Sequence, residues 1–202
     1  MNRPRAARGN LLLLAVAALA LVATLAWRQA TRAPIAEAEQ HLHAQQFLAV
    51  LPSGIHDNQP LDSPVPLSAD QPPRSRIMAA YRATQGTIPT AIVLVSQVQG
   101  YAGPIRLTMA ISADGRLIGT QVIEQQESPG LGGRISDAQV NWLAQFANRS
   151  LTDRWALRRD HGDFDQLAGA TVTSRAVIDA QQEALRYFDQ HRTRLLGTPA
   201  HE

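Results

Sequence analysis

Residues 90–123 read TAIVLVSQVQGYAGPIRLTMAISADGRLIGTQVI, and the period of this stretch decides the fold. Thr90 to Val98 is rich in β-branched residues and reads as a strand. Pro104 to Ile111 alternates apolar with polar positions, and Arg116 to Ile123 does so less cleanly. Between the last two, Ser112-Ala113-Asp114-Gly115 carries the Asp-Gly signal of a tight hairpin. Gln99-Gly100-Tyr101-Ala102-Gly103 joins the first pair. Three successive strands with short turns predict an antiparallel meander.

C-terminal to the meander, Glu124 to Arg134 reads as an irregular, glycine-rich loop. Ser136 or Asp137 can cap a helix running to about Asn148, with Val140, Leu143, Ala144 and Ala147 on one face. Trp155 to Leu157 reads as a short strand and His161 to Ala170 as a loop. A final helix is expected from about Thr173 to Gln190, with Ala176, Val177, Ala180, Ala184, Leu185 and Phe188 as its apolar stripe. N-terminal to the meander, Ser53 to Arg74 holds Pro60, Pro64, Pro66, Pro72 and Pro73 and reads as loop or linker. Before it, a helix fits from Ile35 to Leu51, between Pro34 and Pro52. The expected class is α+β: a single domain with an antiparallel sheet and flanking helices.

The apolar residues concentrate near the start. Leu11 to Trp27 runs 17 residues without a charge, about 25 Å as a helix at roughly 1.5 Å per residue. That lies at the short end of what spans a bilayer. Arg3, Arg5 and Arg8 precede the run, so the positive-inside rule keeps the N-terminus cytoplasmic and sends the rest outward. A cleaved signal peptide with Ala18-Leu19-Ala20 at its cleavage site is the rival reading, and the run exceeds an ordinary h-region of roughly 7–15 residues. The expected organisation is a cytoplasmic N-terminus at 1–10, a transmembrane anchor at 11–28, a helix and Pro-rich linker region at 29–85, the folded domain at 86–192 and a C-terminal tail at 193–202. The expected location is a single-pass protein of the cell inner membrane with a periplasmic domain.

The whole chain has a formal net charge of +2. Beyond Arg28 the basic residues, all Arg, number 15 against 17 acids, so the exported part is slightly acidic and nothing points to nucleic acid. The absence of cysteine excludes a disulfide framework, thiol catalysis and Cys-ligated iron–sulfur clusters.

Two stretches carry candidate chemistry. Asp165-Gln166-Leu167-Ala168-Gly169-Ala170-Thr171-Val172-Thr173-Ser174 places small residues, then three hydroxyls, where a helix begins. Helix N-termini hold unpaired N–H groups and positive dipole, which suits phosphate; the same residues also make an ordinary N-cap. Glu127-Ser128-Pro129-Gly130-Leu131-Gly132-Gly133-Arg134 places glycines where a flat ring or phosphate can approach, but matches neither the Rossmann nor the P-loop fingerprint. Asp160, Asp163 and Asp165 lack EF-hand spacing and read as a solvated loop. His41 and His43 point to different helix faces and do not make a metal pair. Trp142 and Tyr187 read as core residues.

Asp165 to Thr171 resembles the flavinylation motif of FMN-binding domains, and Glu127 to Gly132 and Tyr101-Ala102-Gly103-Pro104-Ile105 resemble two further segments of that family. Order, spacing and the apolar N-terminal run are similar to the G subunits of Rnf-type (Rsx) ion-translocating electron transport complexes, related to the C subunit of the sodium-pumping NADH:quinone oxidoreductase. The resemblance covers most of residues 10–190. It implies that residues 86–192 are an FMN-binding domain and that a flavin transferase joins FMN by a phosphoester bond to Thr171. Ser128, Gly130, Leu131 and Gly132 are expected near the ring, Gly169 and Ala170 beside the attachment point, and Thr173 and Ser174 on the phosphate. Asp165 is a residue the transferase could read. No catalytic residue and no metal ligand is assigned, and Thr171 is an attachment residue. The implied role is electron transfer in a redox-driven translocase of the ferredoxin:NAD oxidoreductase type, with the other complex subunits as partners. This chain departs from the family pattern at Ala168, Ser128 and Gly133-Arg134. The competing readings are a non-redox assembly subunit and a hydrolase using Thr171 or Ser174, for which His161 would be the nearest base.

Overall fold

The computed structural model describes residues 49–52 and 54–197, together with three helical positions at 17, 20 and 24. The apolar run at 11–28 and the helix expected at 35–51 lie almost wholly outside the described residues; at 49–51 the chain forms a turn and a bend. Among the described residues no helix is long and apolar enough to cross a membrane.

Four strands form one antiparallel sheet in the order β1-β2-β3-β4: β1 at Ser75–Gln85, β2 at Ile88–Gln99, β3 at Pro104–Ser112 and β4 at Leu117–Glu124. The last three are the expected meander. The central strands are covered on both faces, which explains the unbroken apolar run Ala91 to Val95 in β2. One face, with Ile92, Leu94, Leu107, Met109 and Ile111, packs against helix α1 at Thr171–Gln190. The other, with Ala83, Ala91, Val93 and Ala110, is covered in part by Val50, Leu51 and Ile55. All six residues of the expected α1 stripe are buried. The helix starts at Thr171, slightly earlier than the expected Thr173.

Five expectations need correction. Strand β1 occupies the end of the region read as helix and Pro-rich linker. Its alternation is broken by a register shift between Ile77 and Ala79, and its alanines carry little strand preference. The proline-rich stretch is part of the fold: Pro60 and Val65 are buried, Pro64 bridges Tyr81, and Asn58 pairs with the Thr84 amide and the Arg82 carbonyl. The helix expected from Ser136 or Asp137 to about Asn148 is instead irregular and holds one 3-10 turn, Trp142–Phe146, which follows Asn141 in a left-handed conformation (φ +45°); a further 3-10 turn, Gly132–Ser136, precedes the segment. The expected strand at 155–157 reduces to a single bridge between Leu157 and Phe164. The start of the C-terminal tail also departs from expectation, because α2 at Arg192–Leu196 buries Leu195 and Leu196. Arg82 Nε donates to the Leu195 carbonyl at 2.8 Å.

Glu183 fastens the proline-rich stretch to α1. Its carboxylate is only 4% exposed and accepts from the amides of Arg74 (3.2 Å) and Ser75 (2.7 Å) and from the Ser75 hydroxyl (2.6 Å). Glu183→Ala would leave these donors without their charged acceptor. The expected loss is roughly 2–4 kcal/mol of stability, measured as a lower urea midpoint at unchanged slope.

Candidate functional site

The site forms where three segments meet: the β2–β3 turn, the glycine-rich loop after β4 and the first turn of α1. The helix starts abruptly because Leu167 to Ala170 is a tight turn, in which the Ala170 amide donates to the Leu167 carbonyl at 3.0 Å. Gly169 sits there at φ +75°, and a Cβ on it would approach Leu131 Cδ2 to 2.9 Å. The left-handed conformation favours glycine, while the exposed Leu131 side chain could move aside for a methyl group. Ala170, at the N-cap, offers no side-chain oxygen to the helix. Among the described residues, the amides of Thr171, Val172 and Thr173 have no backbone or side-chain acceptor. They leave positive partial charge at the helix mouth.

These segments line a cleft of about 340 Å³, within the range of small-molecule sites. Thr171, half-buried, presents its hydroxyl here, and that hydroxyl donates only to Gln166 Oε1 at 3.1 Å. Around it stand exposed apolar side chains: Tyr101 (74%), Val172 (52%) and Leu131 (48%). Three of the five large hydrophobic residues exposed among the described residues thus rim one cleft, a concentration that marks a binding surface. Volume, apolar rim, a weakly held hydroxyl and a helix mouth together fit a flat aromatic ligand carrying a phosphate.

The expected residues Thr171, Gly169, Ala170, Ser128, Leu131 and Gly132 line this cleft. Gly130 does not; it borders a neighbouring shallow hollow with Arg134 and Asp137. Thr173 lines the cleft with its side chain turned inward. Its hydroxyl is buried and donates to Glu127 Oε2 at 2.5 Å. Ser174 is fully buried, donating to the Ala170 carbonyl (2.8 Å) and accepting from the Leu167 amide (3.0 Å). The expectation that these two hydroxyls hold phosphate is therefore corrected: they brace the turn, and the first-turn amides are the donors left for an anion. Sequence reasoning missed Tyr101, Glu127 and Val172 as site residues. The first two stand in segments that resemble the FMN-binding family, so membership of those segments was the available signal.

The acidic residues before the turn are each matched by an arginine. Asp163 pairs with Arg154 (2.7 Å), Asp160 with Arg175 (2.7 Å) and Asp165 with Arg158 (3.3 Å). Among the described residues no three His, Asp or Glu side chains could hold a metal ion. His41 and His43 lie outside the described residues. Trp142 and Tyr187 are core residues: Trp142 Nε1 donates to the Asp165 carbonyl, and the Tyr187 hydroxyl accepts from the Ser68 amide.

Hydrogen bonding to Arg154 holds the Asp163 carboxyl below the usual carboxylate range, and hydrogen bonding to Arg175 does the same for Asp160. Groups with depressed folded pKa values contribute stability above the unfolded value, and it is lost as pH falls through the folded value. Acidification below about pH 4 should therefore loosen residues 154–164 first. Amide exchange followed across that window, with added salt reproducing part of the effect, is the check.

The FMN-binding domain family matches this chain over residues 100–186, a span that contains the whole cleft. The G subunit of the ion-translocating oxidoreductase complex of Pseudomonas aeruginosa (strain UCBPP-PA14) is 43% identical over 93% of this chain and 91% of that protein. The corresponding G subunit of Cereibacter sphaeroides (strain ATCC 17029) is 40% identical over 83% of this chain and 77% of its own. That of Vibrio vulnificus is 34% identical over 96% and 95%. Among solved structures, the crystal structure of Shewanella oneidensis NqrC aligns with a TM-score of 0.46 and 21% identity, covering 57% of this chain and 61% of that one.

Proposed function

We propose that this chain, which belongs to the G-subunit family of ion-translocating oxidoreductase complexes and carries that family's FMN-binding domain, holds FMN covalently through the Thr171 hydroxyl as an electron-transfer subunit. The observation that carries the reading is the position of that hydroxyl. It opens into an apolar-rimmed cleft at the N-terminus of α1, beside amides with no acceptor among the described residues. A flavin transferase would move the FMN phosphoryl group onto Thr171 Oγ1 from a flavin dinucleotide donor: the donor's phosphoanhydride bond breaks and releases the nucleoside monophosphate, and the hydroxyl proton leaves as the new P–O bond forms.

The chain's own residues then have separate tasks. The first-turn amides face the phosphate charge. Leu131, Val172 and Tyr101 offer apolar surface to a flat ring, and Gly132 lets the backbone come close to it. When bound, FMN supplies the electron-accepting and electron-donating chemistry, and the protein supplies attachment, orientation and electrostatics. Covalent attachment keeps the cofactor in place where a dissociating one would be lost by dilution.

The rest of the reading is architectural. Residues 11–28 anchor the chain in the inner membrane with the N-terminus cytoplasmic, and the FMN-binding domain lies on the periplasmic side. There it meets the other subunits of a complex of the ferredoxin:NAD oxidoreductase type, in which electron flow drives ion movement. The Arg3, Arg5 and Arg8 cluster ahead of an uncharged run supports this orientation.

The test is flavin fluorescence in a denaturing gel, on full-length protein made with and without the flavin transferase in the same host. Fluorescence that survives denaturation and depends on the transferase is the expected result. A dark band beside a glowing flavinylated control would reject covalent FMN.

A further inference from the structure

Among the described residues Glu127 is the one charged side chain that lines the cleft, and it is only 6% exposed. Its two oxygens are used on different segments. Oε1 accepts from the Ala102 amide in the β2–β3 turn at 3.0 Å, and Oε2 accepts from the Thr173 hydroxyl in the first turn of α1 at 2.5 Å. Its own backbone belongs to the glycine-rich loop, where its amide donates to Gln125 Oε1 at 2.6 Å. One carboxylate therefore joins all three walls of the cleft.

The surroundings are shaped to admit it. A Cβ built on Gly100 would lie 2.4 Å from Oε1, and a Cβ on Gly132 would lie 2.4 Å from Oε2. Neither glycine has a positive φ, so close neighbours and not backbone conformation bar a side chain there: the carboxylate most closely, then Ile105 Cδ1 at 2.7 Å for Gly100 and Thr173 Oγ1 at 2.8 Å for Gly132. No salt bridge among the described residues reaches Glu127. Among the described residues its carboxylate accepts two hydrogen bonds, in surroundings where charge acts more strongly than in water.

We infer that Glu127, seated in a slot formed by Gly100, Gly132, the Ala102 amide and the Thr173 hydroxyl, is the positioning residue of the flavin cleft and lowers the reduction potential of the flavin held there. The effect on potential rests on the FMN reading; the slot itself does not. Reduction adds negative charge to the cleft, and a fixed carboxylate in its wall opposes that addition.

The experiment uses full-length protein in detergent micelles and has two arms. In the first, flavin-free wild type, Glu127→Ala, Gly132→Ala and the double variant are melted. Each single variant is expected to lower the melting temperature by roughly 4–8 °C. The double variant should lose less than the sum of the two single losses, because the closest clash of a methyl at 132, with Oε2, is gone and only its contacts with the Thr173 hydroxyl (2.8 Å) and the Cβ of residue 127 (3.0 Å) remain. Additive losses would overturn the slot. In the second arm, Glu127→Gln keeps the shape, and the Thr173 hydroxyl can turn to accept from its amide. Flavin-loaded Glu127→Gln should show a more positive midpoint potential than wild type by spectroelectrochemistry, a shift that a purely structural role would not produce. Equal potentials would overturn the electrostatic role. Wild type that takes up no covalent flavin would reject the FMN reading and the effect on potential with it, while the melting cycle still decides the slot.

Discussion

Thr171→Ala is expected to abolish covalent flavin, and Thr171→Ser to keep it. The reason is a matter of atoms: the phosphoester needs a hydroxyl at this position of the first turn, and serine supplies one with less bulk. The other nearby hydroxyls cannot substitute, because those of Thr173 and Ser174 are buried and committed to Glu127 and the Ala170 carbonyl. The Thr171 hydroxyl has one weak partner, Gln166 at 3.1 Å, and the side chain is half-buried. Its removal should change stability by less than about 0.5 kcal/mol. The expected result is a dark but normally folded alanine variant, with fluorescence after denaturation and the thermal melt read on the same preparation. A dark variant with a collapsed melt would instead report a structural residue.

The largest expected loss of stability comes from Phe164→Ala. Phe164 is fully buried and lies between Phe146, at 4.9 Å between ring centroids, and Trp155, at 4.7 Å, with the Arg149 guanidinium 5.5 Å from its ring centre. Phe146 also meets Trp142 edge-on at 5.2 Å. The four aromatic rings form the floor of the loop leading to the attachment turn. Truncating the central ring leaves a cavity in a region without regular strands or α-helix to close around it. A loss of about 3–5 kcal/mol follows, a large share of a domain's usual total of roughly 5–15 kcal/mol. Urea unfolding should show it. Because Phe164 directly precedes Asp165, flavin attachment should fall as well, and Phe164→Leu should recover most of both.

The residues legible in advance were those whose signal is local. The Asp-Gly turn at 114–115 and the β-branched runs on either side marked β2 to β4, and the three-to-four spacing from Ala176 to Phe188 marked α1. Strand β1 escaped because Ala79, Ala80 and Ala83 carry no strand preference and a register shift interrupts its alternation. The segment 137–148 had helical spacing, but left-handed Asn141 and Asn148 break it, and its aromatic residues are satisfied by packing on Trp155 and Phe164. The proline-rich stretch looked like a linker because its anchoring is remote: Glu183 reaches back more than a hundred positions to hold Ser75.

The site divides along the same line. Thr171 was legible because its motif is contiguous, and the glycine-rich loop because its glycines stand close together. What could not be read was direction. Nothing in a run of Thr, Val, Thr and Ser tells which hydroxyl faces the cleft and which faces the core. That depends on Glu127, 46 positions earlier, taking Thr173 as its partner. The closure of the cleft by Tyr101 depends likewise on where the β2–β3 turn ends.

Whether FMN is bonded to Thr171 is decided by mass spectrometry of the tryptic peptide Asp160–Arg175. Cleavage after Arg159 and Arg175 isolates the attachment turn with all three of its hydroxyls. In chain made with the flavin transferase, this peptide is expected to gain the mass of FMN less one water, and fragmentation is expected to place the addition on Thr171. An unmodified peptide from protein that nonetheless fluoresces, or an addition on Thr173 or Ser174, would contradict attachment at Thr171.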